Sequence, residues 1–447
     1  GVVMTYEERK TKSWGSKLSD GLKSILIGLI LIVAATAVLF WNEGRAVKTA
    51  DCINEAQSVY VTLPDINTLN TELDGNLVYA QGNAQTETVL EDGRFNIQKN
   101  ALSLRYSAEY YQWVETKTER EEKNIGGSSE VITTYDYDAR WVREPVDSTK
   151  FKQADTYRNS VLMKINTDTI YATDVNLGAY RLPDFLYKGI KASEPLAIEE
   201  FDEETYAHYG QVLQSNITAL TTDQALQQHA TTGELDILTP TDVGREFVHV
   251  NNDSIYIGRD SLNPRIGDVR INTSYTPAST PIAMVALLNG NSFAKFVGKA
   301  CKDGYEYSSL YDGQKTAAEI FESNRQENAL LKWGLRFAGL LMLFFAFSML
   351  FKLGEALLDV LPFLGNAFRY AGNLLAALLA LAWALVVIGI GWLYYRPIHS
   401  IILFTIAACL VFLGYILNKK RKERVLATGA VASSNDAKTI DQQDLEN

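Results

Sequence analysis

Four apolar runs with very unequal spacing constrain this chain more than any other feature. The first covers residues 22–41, and the other three cover residues 333–351, 372–395 and 398–417. The 20 residues of the first run, at about 1.5 Å each in a helix, match a hydrocarbon core about 30 Å thick. The sequence therefore predicts an integral membrane protein with four transmembrane helices and a large segment, residues 42–332, inserted between the first and the second.

Lysine and arginine near the spans predict the orientation, because these residues resist translocation. The N-terminal segment, residues 1–21, carries four of them, and the last segment, residues 418–447, opens with five more before turning acidic. We expect both termini in the cytoplasm, with a disordered acidic tail at the C-terminal end. Residues 352–371 are rich in leucine and phenylalanine and are expected to lie in the cytoplasmic interface. An even number of spans then puts the large insert on the other side, in a periplasm or an organelle lumen.

The insert itself is acidic and has a β pattern. It contains 27 basic and 43 acidic residues, a net charge of −16 within a total of −11. Such a surface repels phosphate backbones, which argues against nucleic acid as a partner. Apolar and polar residues alternate in 101–110, 130–137 and 268–275, as is typical of half-buried antiparallel strands. We expect a β-rich α+β extracytoplasmic domain, either one large domain or two subdomains.

An unusual cluster of residues follows the first span and predicts a joint at the membrane interface. A tryptophan suits the headgroup region, a glycine permits a turn, and a neighbouring acid and base can form an ion pair there. An ordinary end of an anchored helix explains the same residues equally well. The joint consists of Trp41, Asn42, Glu43, Gly44 and Arg45.

Two further patterns lie in the last spans. Small residues at every fourth position of the third span predict a helix-packing stripe, which serves either packing within one subunit or contact between subunits. The stripe consists of Gly372, Ala376, Ala380 and Ala384. A very short connection predicts a tight turn between the third and fourth spans, with a proline that opens the latter. This turn includes Trp392, Tyr395, Arg396 and Pro397.

Cys52 and Cys301 lie near the two membrane ends of the insert. In an oxidising compartment they are a candidate disulfide, although two free thiols fit the sequence as well. The four histidines have no metal-ligand spacing, and the sequence has no nucleophile elbow, phosphate loop or zinc-protease motif. We therefore expect neither an enzyme nor a metal or cofactor site.

Four stretches of the chain resemble the LUMA family of four-span membrane proteins. They are residues 39–49, residues 111–116, residues 267–270 with 274–275, and residues 391–397. The resemblance implies four spans, a large insert after the first and cytosolic termini. Animal members resemble scaffolds of the endoplasmic reticulum and inner nuclear membrane that self-associate and organise emerin and lamin complexes. The family has no established catalytic residues.

The expected function is that of a non-enzymatic membrane scaffold, whose partners are copies of itself, other membrane proteins and the lipid bilayer. The alternative is an oligomeric channel or lipid-handling assembly with a pore or chamber between subunits. The family also has bacterial members, and no nuclear address is visible in this chain. A bacterial inner membrane with a periplasmic domain is therefore favoured over the endoplasmic reticulum or the inner nuclear membrane.

Overall fold

The computed structural model describes residues 4–219, 237–395, 401–402, 405–406 and 408–416. The helices are α1 (Trp14–Val59), α2 (Asp184–Tyr187), α3 (Glu203–Ala219), α4 (Pro240–Phe247), α5 (Ala317–Leu358) and α6 (Pro362–Tyr395). The first strands are β1 (Met4–Lys12), β2 (Val61–Thr62), β3 (Leu77–Gln85), β4 (Val89–Asp92), β5 (Ile97–Lys123), β6 (Ser129–Val142), β7 (Asp168–Tyr171) and β8 (Asn176–Leu177). The others are β9 (Tyr180–Arg181), β10 (Glu194–Pro195), β11 (Val248–Asn251), β12 (Ser254–Ile257), β13 (Val269–Pro277), β14 (Ser279–Asn289), β15 (Ser292–Ala294) and β16 (Ser309–Asp312).

The chain divides into two compact units. The domain unit contains residues 1–10, 51–122 and 130–326, and the helix unit contains residues 11–50, 123–129 and those from 327 onward. The prediction of a β-rich region between the first and second apolar helices is confirmed. Residues 123–129 of the insert group with the helices.

Two sheets build the domain unit. One has the strand order β1-β6-β5-β13-β12-β11, with β4 and β7 also paired to β5 and β10 paired to β13. The other has the order β16-β14-β15-β9-β8-β3-β2, with a further pairing between β14 and β3. The alternation seen in the sequence explains the first sheet: Leu102, Leu104 and Tyr106 of β5 are at most 2% exposed. Opposite them runs β13, with Tyr106 in register with Thr273.

Helices α3 and α4 cross at a very short distance. A side chain on Gly210 would overlap the carbonyl group of Pro240, and one on Gly244 would overlap that of Tyr206. Thr239 caps α4 by accepting from the Asp242 N–H, while the Asp242 carboxylate accepts from the Thr239 N–H. The absence of a Cβ at both crossing positions lets the two backbones touch.

The ends of the two longest helices form part of the domain unit. Cys52, Ile53 and Ala56 of α1 share a buried cluster with Ile320 and Phe321 of α5. A capping box begins α5 there: Thr316 Oγ1 accepts from the Glu319 N–H, and the Glu319 carboxylate accepts from the Thr316 N–H. One continuous helix, α5, thus runs from the domain unit into the second apolar run.

The helix unit is built from α1, α5 and α6, each long and apolar enough to cross a membrane. Four spans were predicted, and three lie in the described part of the chain. Of the fourth predicted run, the described residues between 401 and 416 are helical. The tight turn at Arg396 and Pro397 and the tail of residues 418–447 lie outside the described residues.

Residues 352–371, which are predicted to lie in the cytoplasmic interface, belong to two helices. Helix α5 continues to Leu358, and α6 already begins at Pro362. Proline suits the first helical position because it lacks an N–H, and it disfavours helical geometry in the residue before it. The break therefore falls at residues 359–361, and the predicted interfacial segment is divided between two long helices.

Candidate functional site

The predicted joint after the first span contains a buried ion pair in the helix unit. Glu43 is 1% exposed and accepts from Arg336 Nε at 2.7 Å and from an Arg336 terminal nitrogen at 2.8 Å. Trp392 Nε1 also donates to the Glu43 carboxylate. The Arg336 guanidinium lies 4.7 Å from the centre of the Trp333 ring. One carboxylate of α1 thereby links α1 to both α5 and α6.

A second set of polar contacts joins α1 to α5. Asn42 is fully buried and donates from Nδ2 to the Lys332 carbonyl at 3.0 Å. Arg45 donates to Asn328 Oδ1 at 3.1 Å and to Asn42 Oδ1 at 3.2 Å. Asn328 in turn donates to the Ala46 carbonyl at 2.9 Å. These bonds satisfy polar groups that would otherwise be costly to bury.

The remaining residues of the joint have different surroundings. Trp41 is 56% exposed, which fits a ring in contact with the bilayer interface. A Cβ on Gly44 would lie 2.5 Å from the Tyr395 hydroxyl oxygen, so the side chain of Tyr395 on α6 lies directly against Gly44 of α1. Two residues of the predicted interhelical turn, Trp392 and Tyr395, therefore contact the joint directly.

The small-residue stripe lies inside the helix unit. Ala376, Ala380 and Ala384 are at most 5% exposed and belong to a cluster with Ala35 and Leu39 of α1. A Cβ on Gly372 would lie 3.3 Å from that of Phe351. Within the described residues, the stripe packs α6 against α1 and α5 of the same chain.

An apolar cavity of about 440 Å³ lies next to the ion pair. Its walls come from α5, α6 and the described part of the fourth apolar run, and it is lined by Trp333, Arg336, Phe337, Leu340, Leu381, Ala384, Leu385, Ile388, Trp392 and Ile402. Arg336 is the one charged side chain among these described lining residues, and its guanidinium is paired with Glu43. The cavity suits an apolar chain better than a charged solute.

A second buried charge cluster lies where α5 ends. Asp359 binds Lys17 Nζ at 2.7 Å and Lys123 Nζ at 2.6 Å, and Lys123 also binds Glu355 at 2.7 Å. Burial alone would raise the pKa of Asp359, but the two lysines outweigh it and hold the pKa below the usual range. Lys17 precedes the first apolar run, so residues 123–129 of the insert lie at the end of the helices that bears the N-terminal segment.

In the domain unit, Cys52 and Cys301 form a disulfide, with Cα atoms 4.6 Å apart. The bond joins α1 to the loop between β15 and β16. Glu55, one turn later on α1, accepts from the N–H groups of Lys299 at 2.7 Å and Ala300 at 2.6 Å. The start and the end of the insert are thus tied together covalently.

Two stretches that carry the LUMA resemblance, residues 111–116 and 267–270, meet in the domain unit. Tyr111 exchanges two backbone hydrogen bonds, donating to the Asp268 carbonyl at 2.9 Å and accepting from the Gly267 N–H at 3.0 Å. The Asp268 side chain is 1% exposed and accepts from the Tyr256 hydroxyl and the Arg265 N–H. Burial raises the pKa of Asp268 to about 6.

Sequence reasoning identified Glu43 but missed its partner. Arg336 stands in no motif, yet its side chain is only 12% exposed and is paired with Glu43. Lys123 and Asp359 were also missed, because neither stands in a motif. For Arg336 and Asp359 the available signal was an isolated charged residue in or beside an apolar stretch, since such charges are usually paired. The described residues contain no group of three or more His, Cys, Asp or Glu that could hold a metal ion.

Comparison with known proteins gives consistent matches. The family model described as transmembrane protein 43 matches residues 110–397. Transmembrane protein 43 of Rattus norvegicus is 26% identical over 411 residues, 91% of this chain and 92% of the relative. The Homo sapiens protein is 26% identical over 397 residues, 88% of this chain and 89% of the relative. The Drosophila melanogaster homologue is 26% identical over 411 residues, 89% of this chain and 95% of the relative. No solved structure matches the chain.

Proposed function

This chain belongs to the transmembrane protein 43 family, and from that premise we propose that it is a non-enzymatic membrane scaffold that self-associates. In this role its helices hold the protein in the bilayer, and the domain unit presents a surface to other membrane proteins. The net charge of −16 on the inserted segment favours partners with basic surfaces.

The single observation that carries this proposal is that the polar residues of the joint bind other helices of the same chain. Glu43 binds both Arg336 and Trp392, so its carboxylate is used to join α1 to α5 and α6. Asn42 and Arg45 are likewise bound to α5 through backbone and amide groups. Side chains that hold helices together support an architectural role better than a catalytic one.

The proposed setting is a membrane with an oxidising compartment on one side. The disulfide between Cys52 and Cys301 supports exposure of that part of the domain unit to a periplasm or an organelle lumen. A bacterial inner membrane stays the favoured location, with the endoplasmic reticulum or inner nuclear membrane as the alternative.

The experiment that tests the scaffold is the mass of the purified full-length protein in mild detergent, by light scattering with the protein and detergent contributions separated. A defined oligomer, or a stoichiometric complex with another membrane protein, is the expected result. A strictly monomeric particle with no co-purifying protein would contradict the proposal.

The apolar cavity favours a second candidate function, the binding of a lipid chain in a lipid-handling assembly. Its volume of about 440 Å³ is large enough for part of an acyl chain, and two tryptophans of the helix unit line it. Leu381→Trp would fill it, and Leu378→Trp on the same helix, at a residue outside the lining, is the matched control. Lipid that co-purifies with the wild type should be lost from Leu381→Trp only; equal lipid content in all three proteins would exclude this function.

A further inference from the structure

The disulfide of the domain unit lies under a loop that other contacts also hold in place. This cysteine loop comprises residues 297–306. Phe296 and Tyr307 close its base by exchanging two backbone hydrogen bonds, at 2.7 and 2.9 Å. Within the loop, the Gly298 N–H donates to the Cys301 carbonyl at 2.9 Å. The course of the loop is therefore fixed by more than the covalent bond.

Glu55 of α1 holds the cysteine loop from below. Its carboxylate accepts from the N–H groups of Lys299 at 2.7 Å, Ala300 at 2.6 Å and Cys301 at 3.1 Å. Burial alone would raise the pKa of Glu55, but the three N–H groups outweigh it and hold the pKa below its usual range. The carboxylate is therefore charged at neutral pH, and its hydrogen bonds are of the stronger, charge-assisted kind.

Both sulfur atoms lie close to a hydrogen-bond acceptor. Cys52 Sγ is 3.1 Å from the Tyr305 carbonyl oxygen, and Cys301 Sγ is 3.2 Å from the Cys52 carbonyl oxygen. A thiol formed at either position thus has an acceptor in its present surroundings. The two cysteines are 3% and 0% exposed, and free cysteine is among the residue types that proteins bury most readily.

The core around the cysteines is held by apolar packing that does not involve sulfur. Ile53 and Ala56 of α1 share a buried cluster with Ile320 and Phe321 of α5. The ring of Tyr307, at the base of the cysteine loop, stacks on Phe321 with ring centres 5.8 Å apart. Opening the disulfide removes none of this burial, so we expect the domain unit to stay folded with two free thiols.

We propose that Cys52 and Cys301 form a redox switch, in which thiol–disulfide exchange opens and closes the bond while the domain unit stays folded. Glu55 is the positioning residue that keeps Cys301 next to Cys52 for re-closure. The reactants are a dithiol in one direction and a disulfide in the other. This inference goes beyond the scaffold role and does not depend on self-association.

The exchange proceeds in two displacements. A thiolate of the dithiol attacks one sulfur of the bond and forms a mixed disulfide, while the other cysteine leaves as a thiolate and takes up a proton. The second thiolate of the dithiol then attacks the mixed disulfide, so the dithiol leaves as a cyclic disulfide and the second cysteine is released. The protein gains two electrons and two protons, and the dithiol loses the same number.

Glu55 acts on this equilibrium through the reduced protein. The bond re-forms only in molecules whose cysteine loop is in place, and the hydrogen bonds to Glu55 favour that arrangement. A folded domain with the loop in place does not have to gather the segment of 249 residues again. Hydrogen bonds to a charged group are strong enough that their loss should shift the equilibrium by about tenfold.

The test measures the equilibrium of the bond in the full-length protein in mild detergent. Cys409 is replaced by alanine, so that Cys52 and Cys301 are the remaining cysteines. The protein is equilibrated with mixtures of reduced and oxidised dithiothreitol, quenched with acid and labelled in detergent with maleimide-polyethylene glycol. The gel shift gives the oxidised fraction, and hydrogen exchange in β14 reports whether the domain unit is folded.

Glu55→Gln is the test variant, because it keeps the shape of the side chain and removes its charge. Glu322→Gln is the matched control, since the carboxylate of Glu322 binds Arg325 and Gln326 of its own helix. Protection of β14 in the oxidised form of each variant shows that the variant has folded.

Reduced wild type should keep the protection of β14 and regain the bond in oxidised dithiothreitol. The equilibrium constant for bond formation should fall about tenfold in Glu55→Gln and stay unchanged in Glu322→Gln. Loss of protection on reduction, or a bond that stays closed in reduced dithiothreitol alone, would overturn the switch, and both results come from the wild type. Equal constants in the two variants would overturn the role of Glu55.

Discussion

At the scale of single residues, Glu43 is the side chain that links α1 to both α5 and α6. It is 1% exposed and its two oxygens receive Arg336 and Trp392. Removing one partner of a buried ion pair leaves the other charge uncompensated, which costs far more than losing an exposed pair. The packing of α1 against α5 is therefore expected to be weaker without it.

Glu43→Ala should lower the free energy of unfolding by about 3–5 kcal/mol, because Arg336 is left buried without its carboxylate. Glu322→Ala, which removes an exposed ion pair with Arg325 on the same α5, should cost less than about 1 kcal/mol. Equilibrium unfolding of the detergent-solubilised protein in urea, followed by tryptophan fluorescence, measures both free energies. Adding Arg336→Leu to Glu43→Ala should recover part of the loss; equal effects of the two single variants would contradict this account.

The raised pKa of the Asp268 carboxyl group predicts how the stability of the folded protein depends on pH. Its pKa in the folded protein is about 6, raised from 3.8 by burial, so between these values the folded state binds more protons than the unfolded state. The contribution of Asp268 to stability is therefore greatest in acid and falls as the pH rises from about 4 to about 6, by at most about 3 kcal/mol. Asp268→Asn keeps an acceptor for the Tyr256 hydroxyl and should flatten the curve over this window in equilibrium unfolding of the full-length protein. A wild-type curve that rises through the same window, with no difference in the variant, would refute the assignment.

At the scale of elements, the crossing of α3 and α4 depends on the absence of two side chains. Gly210→Ala would place a methyl group onto the Pro240 carbonyl, which the backbone can avoid only by separating the helices. We expect a loss on the order of 3 kcal/mol in unfolding free energy. Gly93→Ala is the control, since a Cβ there meets no atom within 4 Å. Urea denaturation of both variants measures the free energy of unfolding. An unchanged value in Gly210→Ala would show that the two helices are free to move apart.

At the scale of the whole molecule, one covalent bond closes a segment of 249 residues between Cys52 and Cys301. Breaking a bond that closes so long a loop raises the entropy of the unfolded chain, and native disulfides typically contribute about 2–5 kcal/mol. The Cys52→Ala, Cys301→Ala double variant should therefore melt at a lower temperature than the wild type.

The same shift should appear when the wild type is treated with a reductant, and the reductant should leave the double variant unchanged. A reductant that lowers the melting temperature of both proteins equally would point to a different target. Cys409 is the free cysteine in the described part of the chain, and its replacement by alanine gives the matched background.

The sequence by itself determined the features that depend on local pattern. Uninterrupted apolar runs place three of the predicted spans inside α1, α5 and α6, because a helix in lipid must be apolar over about 20 residues. Alternation in residues 101–110 and 268–275 likewise predicted strands that the structure pairs as β5 and β13. Glu43 and Asn42 stood out for the same reason, as polar residues directly after an apolar run.

Only the tertiary structure decided which distant residues meet. Glu43 and Arg336 are 293 positions apart, and Lys123 and Asp359 are 236 apart, so no local period relates them. Residues 123–129 group with the helices for this reason: a polar hairpin tip has no signal in the sequence for the buried carboxylate that it will bind. Partners of buried charges are set by the packing of whole elements, and that packing is a property of the folded chain rather than of any one stretch of it.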